Sequence, residues 1–249
     1  MKKLYCNNKN YRFYKYVDYD SAVKIISNNS LLFSNPSSFN DPFDCFIGLL
    51  DIEPNDKLIK RFQTYLHENE SDINISDFKQ DDSETFKRTI KEFLSISLDT
   101  IKISCFTTEY LNPLMWAHYT EKHKGICLGF DFAYNNPDFI IKKVNYNWPL
   151  EKIDFYKGLR NILIQWLTTK SRHWDYEKEY RIINFDLEGF ISFDKTCLKE
   201  IYFGTKLVED TIFEMINLLN INDYSNEIEC YQIKINDLLE LERVKMPSS

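Results

Sequence analysis

At 249 residues the chain is long enough to bury a core without metal or disulfide staples and short enough for one large domain, and its 43% hydrophobic and 16% aromatic content excludes a disordered chain. A formal net charge of −7 lacks the basic footprint of non-specific phosphate binding, which argues against duplex DNA as a partner. Six cysteines (Cys6, Cys45, Cys105, Cys127, Cys197, Cys230) form no Cys-x-x-Cys pair, so zinc knuckles and thioredoxin-type chemistry are not indicated and no bound metal is expected.

Residues 1–10 contain no apolar run of the kind a signal peptide needs, and nothing approaches the roughly 18 apolar residues of a membrane span. The expected location is the cytoplasm, with reduced thiols and no membrane contact. Residues 11–17 are aromatic and β-prone, and Asp18 or Asp20 caps a predicted helix reaching about Asn29. A strand follows over 31–34. From Asn35 to Pro42 the composition is that of a structured turn, because each proline extends its predecessor and Asn and Asp side chains bond their own backbone. Helices are predicted over 56–68 and 83–98, separated by an Asn- and Asp-rich patch, which together make a helical insertion near 50–100. Strands then read over 101–107, 126–132, 140–146, 176–184, 190–193, 201–204 and 229–235, with helices over 113–124, 154–170 and 206–220. Strands in runs, rather than in strict alternation with helices, predict a single α+β domain over 1–249, with a mixed, largely antiparallel sheet flanked by helices. No Gly-x-Gly-x-x-Gly or Walker A run points to a nucleotide-binding α/β fold.

Three segments carry candidate chemistry. In Trp174-Asp175-Tyr176-Glu177-Lys178-Glu179-Tyr180-Arg181, strand alternation sets Trp174, Tyr176 and Tyr180 against a row of Asp175, Glu177, Glu179 and Arg181. Carboxylates on one face lie roughly 6.6 Å apart at the backbone and perturb each other where water is excluded. A solvated face with Arg181 paired to Glu179 explains the same pattern without chemistry. If the row is a site, Glu179→Gln should alter activity and leave stability little changed.

The second segment is a helix punctuated by Asn112 as cap, Pro113 at its first position and Gly125 just past its end. Trp116, Tyr119, Thr120 and His123 share one face, and His118 points nearly opposite Trp116. That face reads either as a platform for a substrate ring or as a core-facing stripe, and His123 either joins it or bonds the terminal carbonyls. The third segment, Phe39 to Asp44, places Asn40 and Asp41 between aromatics. They aim at a ligand, or the turn closes on itself with Phe39 and Phe43 as pins. No zincin, deaminase or serine-nucleophile spacing is present.

Tyr14-Lys15-Tyr16, Phe39 to Phe43, Met115 to Tyr119 with Gly125, and Trp174 to Arg181 together resemble a large bacterial and phage-associated family known mainly as a domain of unknown function. That resemblance implies a role in abortive infection or antiphage defence, with a partner protein of the defence system. A second resemblance is to ADP-ribosyltransferases, on the order of Lys15 in a first strand, Ser104-Cys105-Phe106-Thr107-Thr108 in a middle strand, and Glu177-Lys178-Glu179 late. It implies NAD as substrate, Glu179 as the catalytic carboxylate, and Glu177 orienting or deprotonating an acceptor. Thr107 or Thr108 would hold the ribose side, and Trp116 or Tyr119 would stack a ring. Lys15 or Arg12 stands where that family has a first-strand arginine, and Asn40, Asp41, His123 and Arg181 complete the candidate binding set. Two other classes fit the same residues: a carboxylate hydrolase of glycosidic or N-glycosidic bonds, and a non-catalytic defence sensor that binds a phage protein or a nucleotide signal. On any catalytic reading, the Glu179 row should meet the Phe39 to Asp44 loop or the Trp116 and Tyr119 face in one cleft.

Overall fold

The computed structural model describes residues 2–6, 12–53, 56, 59–60, 64, 83–133, 136, 138–154, 159–186, 188–224 and 228–247. The principal elements in chain order are β1 (Arg12–Val17), α1 (Tyr19–Asn28), α2 (Ser83–Thr100), β2 (Lys102–Thr107), α3 (Pro113–Tyr119), β3 (Ile126–Asp131), β4 (Ile140–Lys143), α4 (Leu159–Leu167), β5 (Glu179–Asn184), β6 (Leu198–Phe203), α5 (Glu209–Ile221), β7 (Glu229–Ile235) and β8 (Leu241–Lys245). The chain divides into two compact units, one of residues 1–34, 102–144 and 173–249 and one of residues 35–101 and 145–172. Most of the helix predicted over 56–68 lies outside the described residues.

The larger unit is built on an eight-stranded sheet of order β8-β7-β6-β3-β1-β2-β5-β4. Only β6 and β7 run parallel; the other neighbours are antiparallel. This is the mixed, largely antiparallel α+β architecture that the runs of strands predict. Alternation explains its two faces. Phe13, Val17, Phe106, Leu128, Ile182, Ile201 and Phe203 pack with Ala22, Ile25 and Ile26 of α1 and Ile212, Met215 and Leu219 of α5 in one apolar core. Each of the larger of these side chains, fully buried, contributes on the order of 1.5–3 kcal/mol. Asp18 fixes the start of α1 by accepting the Ser21 amide at 2.6 Å, and Asn29 ends it in the left-handed region at φ 49°.

The opposite face is aromatic and polar. Tyr14, Tyr16, Cys127, Tyr202, Tyr231 and Ile233 pack there against Met115 and Trp116 of α3. A lateral row crosses five strands on this side, with Glu200 opposite Gly129, Gly129 opposite Tyr14, Tyr14 opposite Thr107 and Thr107 opposite Glu179. Glu200 joins the row because a bulge at Lys199 separates Leu198, which faces the apolar core, from Glu200, which does not.

Two predicted elements change in ways that move the candidate site. The helix expected over 113–124 stops at Tyr119. The Thr120 hydroxyl bonds back to the Trp116 carbonyl, and Glu121, Lys122 and His123 follow in the left-handed region at φ 48°, 60° and 70°. Gly125 is therefore no helix cap: a Cβ there would lie 2.2 Å from the Val17 carbonyl oxygen, and close backbone approach is what demands glycine. The strand expected from Tyr176 begins instead at Glu179, because Arg172–Glu177 forms a 3-10 helix and Lys178 turns the chain at φ 45°. Asp175 and Glu177 thus leave the strand row. The helix expected over 154–170 narrows to α4, where Thr168 and Thr169 hydroxyls cap the last turn by bonding the Ile164 and Gln165 carbonyls; residues 155–158 lie outside the described residues.

The smaller unit has its own core, with Phe86, Ile90 and Leu94 at helical spacing on α2 packed with Leu49, Leu50, Ile52, Ile153, Ile162 and Trp166. Asn35 ties its entry turn to α2 by donating to the Leu98 carbonyl at 3.0 Å. Asp41 accepts the Phe43 amide at 3.0 Å, an Asx turn, and Asp44 pairs with Lys170 at 3.6 Å, both side chains buried. Phe43 is 61% exposed and pins nothing.

Candidate functional site

The site is built where β1, β2 and β5 lie side by side. Glu179, 4% exposed, receives two hydrogen bonds from the fully buried Arg181, from Nε to Oε1 at 2.8 Å and from Nη2 to Oε2 at 3.2 Å. Such a bidentate, charge-assisted pair is the geometry that makes a buried arginine tolerable. Opposite this pair on β2 stand Thr107 and Cys105. The Thr107 hydroxyl accepts the Glu109 amide at 3.0 Å and so ends β2. Burial, and then the Glu179 charge, hold the Cys105 thiol protonated far above its ordinary range.

Among the described residues β1 and β2 pair only at Tyr14 and Thr107. In the opening beside that pair, Lys15 donates to Ser104 Oγ at 3.0 Å and to the Cys105 carbonyl at 3.1 Å, with its ammonium 4.9 Å from the centre of the Phe106 ring. Burial pushes the Lys15 pKa down, and the nearby Glu179 charge pulls it part of the way back. By register Lys15 stands opposite Leu128, on the apolar side of the sheet. It closes the gap between strands rather than lining the aromatic face.

Glu177, 3% exposed, is positioned differently. Tyr119 at the end of α3 donates to its Oε1 at 2.5 Å, and Asn112, while capping α3 by accepting the Leu114 amide, donates to the Tyr176 carbonyl at 2.9 Å. His118 Nδ1 lies 3.0 Å from the Tyr176 hydroxyl. Three contacts thus join two segments that are nearly sixty residues apart in the chain. Around them the rings of His118, Tyr119, Trp174 and Tyr176 gather, with centroid separations of 6.0 Å for Trp174 and Tyr176, 6.0 Å for His118 and Tyr176, 6.5 Å for His118 and Trp174, and 6.3 Å for His118 and Tyr119. His118 is exposed, and the other three rings are half-buried.

A second polar cluster shares this face. Glu200 accepts from Tyr14 at 3.1 Å and Tyr202 at 2.8 Å and is paired with Arg12, which also grips Asp131 through Nε at 2.9 Å and Nη2 at 3.0 Å. Arg243 lies over Tyr110 and Tyr231, and the rings of Tyr110, Tyr202 and Tyr231 stack in sequence. Burial raises the Tyr14 and Tyr202 phenols, and the Tyr231 phenol is pushed up to about 12. Every polar group named here has a partner, which makes the cluster a brace across β1, β3, β6, β7 and β8.

The predicted residues therefore separate. Thr107, Glu179 and Arg181 come together, as do Tyr119 and Glu177. Trp116 is fully buried, edge-on to Tyr16, with its indole nitrogen bonded to the Tyr110 carbonyl at 2.8 Å, which is the core-facing reading of the stripe. Thr108 is exposed beyond the ladder. His123 is not on α3 at all: its backbone bonds the Trp116 carbonyl, its Nδ1 is buried without a partner, and burial followed by the Lys206 charge lowers its pKa. Asn40 is exposed and Asp41 buried in the smaller unit. His118, Trp174 and Tyr176 sit inside the motifs that the sequence marks but outside the candidate set.

Residues 115–182 match the family described as "Protein of unknown function (DUF2971)". Neither the curated proteins nor the solved structures yield a match to the chain. Among the described residues no helix is long and apolar enough to cross a membrane. The matched stretch begins in α3 and ends in β5, so it contains both segments whose contacts form the Glu177 site.

Proposed function

We propose that the chain acts on NAD, breaking the bond between nicotinamide and ribose and passing ADP-ribose to an acceptor or to water, in the setting of bacterial defence that its motifs imply. One observation carries this reading: the buried Glu177 carboxylate accepts from Tyr119, one of a group of partly exposed aromatic rings. In the reaction the C1′–N bond breaks, nicotinamide departs neutral with the bonding electron pair, and the ribosyl centre becomes oxocarbenium-like. A fixed anion stabilises that charge without reorganising. The acceptor then bonds to C1′ and loses a proton. Glu177 is assigned the stabilising role in place of Glu179, because both Glu179 oxygens are engaged by Arg181.

The test is nicotinamide release from NAD by the purified full chain, followed by chromatography, in wild type and in Glu177→Gln. Loss of about 10²-fold or more in the variant is expected for a group that stabilises developing charge, with unchanged circular dichroism. The same bidentate pair favours a second reading, a binding module whose Glu179 is purely structural. No nicotinamide release by the wild type, with and without candidate acceptor proteins, would decide for it.

A further inference from the structure

We infer that a cleft between the start of α1, the loop after α3 and the entry to α5 binds a small zwitterion, an aliphatic α-amino acid free at both its ammonium and its carboxylate. The cleft lies wholly in the larger unit. No residue lining it takes part in the proposed reaction, on which it does not depend.

The first observation is space. The cleft encloses about 380 Å³, at the lower end of the range of small-molecule sites. Leu207 and Val208 give it an apolar wall, and Val208 is 63% exposed. The second is charge of both signs held apart. Asp20, Glu121, Lys124 and Lys206 line the cleft, and among the described residues none of the four is in a salt bridge. A plain anion would be repelled by Asp20 and Glu121, and a plain cation by Lys124 and Lys206, whereas a zwitterion meets each sign with its opposite. Asp18 also lines the cleft but is committed to capping α1, accepting from the Ser21 amide and hydroxyl.

The third observation is the start of α5. Val208 stands at its N-cap and has no side-chain oxygen to offer, so the amides of the first turn receive no capping bond. Val208 and Thr211 place that turn on the cleft. Unpaired amides and the helix dipole favour a carboxylate there, with Lys206 two residues before the cap. Glu209 and Asp210 in the same turn disfavour a multiply charged anion such as a phosphate. The ammonium is left to Asp20 and Glu121.

The walls are also fixed to each other. The Lys206 amide donates to the His123 carbonyl at 3.0 Å, and the His123 amide donates to the Trp116 carbonyl at 3.1 Å. The left-handed loop that carries Glu121 and Lys124 is therefore tied to the entry of α5 before any ligand arrives, and little freedom is lost on binding.

The experiment is an isothermal titration of the full chain with L-leucine. N-acetyl-L-leucine, which lacks the ammonium, and L-leucinamide, which lacks the carboxylate, are the controls. Saturable binding of L-leucine, weaker by about tenfold or more for each control, is expected from the loss of charge-assisted contacts. Lys206→Met should weaken L-leucine and leave L-leucinamide unchanged, and Asp20→Asn should weaken L-leucine and leave N-acetyl-L-leucine unchanged. Both side chains are exposed, so the fold should persist, which circular dichroism checks. Lys234→Met, at an exposed lysine of β7, should change nothing. No saturable binding of L-leucine, binding of either control to within about tenfold of it, or full L-leucine binding by folded Lys206→Met or Asp20→Asn would each overturn the inference.

Discussion

Glu179→Gln, which the bare sequence marks as a harmless isosteric change, should instead destabilise the protein. The reason is Arg181, which is fully buried and directs Nε and Nη2 at the two Glu179 oxygens at 2.8 and 3.2 Å. Glutamine keeps one acceptor, sets an amide donor against a guanidinium donor, and removes a bidentate counter-charge from an arginine that cannot lose its proton. Breaking a buried pair from one side costs about 3–5 kcal/mol, and the retained acceptor places this variant near about 3. For a chain of this size that corresponds to a fall of about 6–12 °C in the unfolding midpoint. Urea denaturation should show a lower midpoint with an unchanged slope. Replacing both partners, Glu179→Leu with Arg181→Met, should cost less than Glu179→Gln alone, since charge and counter-charge leave together. A Glu179→Gln protein within about 1 kcal/mol of wild type would refute the reasoning, because that is how a solvated surface pair behaves.

Gly125→Ala and Gly204→Ala should each reduce soluble yield and lower the thermal midpoint, since the added Cβ would sit 2.2 Å from the Val17 oxygen and 2.3 Å from the His123 oxygen; Gly189→Ala, whose nearest neighbour is 3.6 Å away, should not. Stability should fall as pH rises above about 8.5–10, where thiols and phenols of the unfolded chain lose protons. Native Cys105, Cys127, Tyr14, Tyr16 and Tyr202 keep theirs because burial raises their pKa values. Their stabilisation is complete below the ordinary values and is lost above them; Lys15, shifted down by burial, works in the opposite sense over the range up to its ordinary value. Urea midpoints at pH 8 and pH 10.5 check the sign, and Tyr202→Phe should show a smaller drop than wild type.

What the sequence made legible followed from composition and propensity. The aromatic, β-prone residues 11–17 and the β-favouring run over 101–107 placed β1 and β2, Asp18 or Asp20 announced α1, and the crowding of strands in the second half gave the sheet its class. The errors fall where backbone conformation is imposed by contacts distant in sequence. Glu121, Lys122 and Lys178 have no intrinsic preference for positive φ, so the late start of β5 had no local signal. The early end of α3 did have one in Thr120, because a hydroxyl that bonds back to the preceding turn competes with helix continuation. His118 points nearly opposite Trp116, and in the structure the Trp116 face is buried while the His118 face meets Tyr176.

The turn at Lys178 also decides how two carboxylates of one short motif divide their work. On an unbroken strand Glu177 and Glu179 would face the same side and share one environment. With Lys178 at φ 45°, Glu179 enters the sheet and is committed to Arg181, while Glu177 closes a 3-10 helix and turns to Tyr119. A carboxylate that must exchange partners as a ligand arrives cannot also be the counter-charge of a fully buried guanidinium, since releasing it would expose the whole cost of an uncompensated charge. The Tyr119 phenol that donates to Glu177 is neutral, and losing such a hydrogen bond costs on the order of 1–3 kcal/mol. The proposed reaction therefore assigns ligand chemistry to Glu177, beside the rings of α3 and the 3-10 turn, and leaves Glu179 to Arg181.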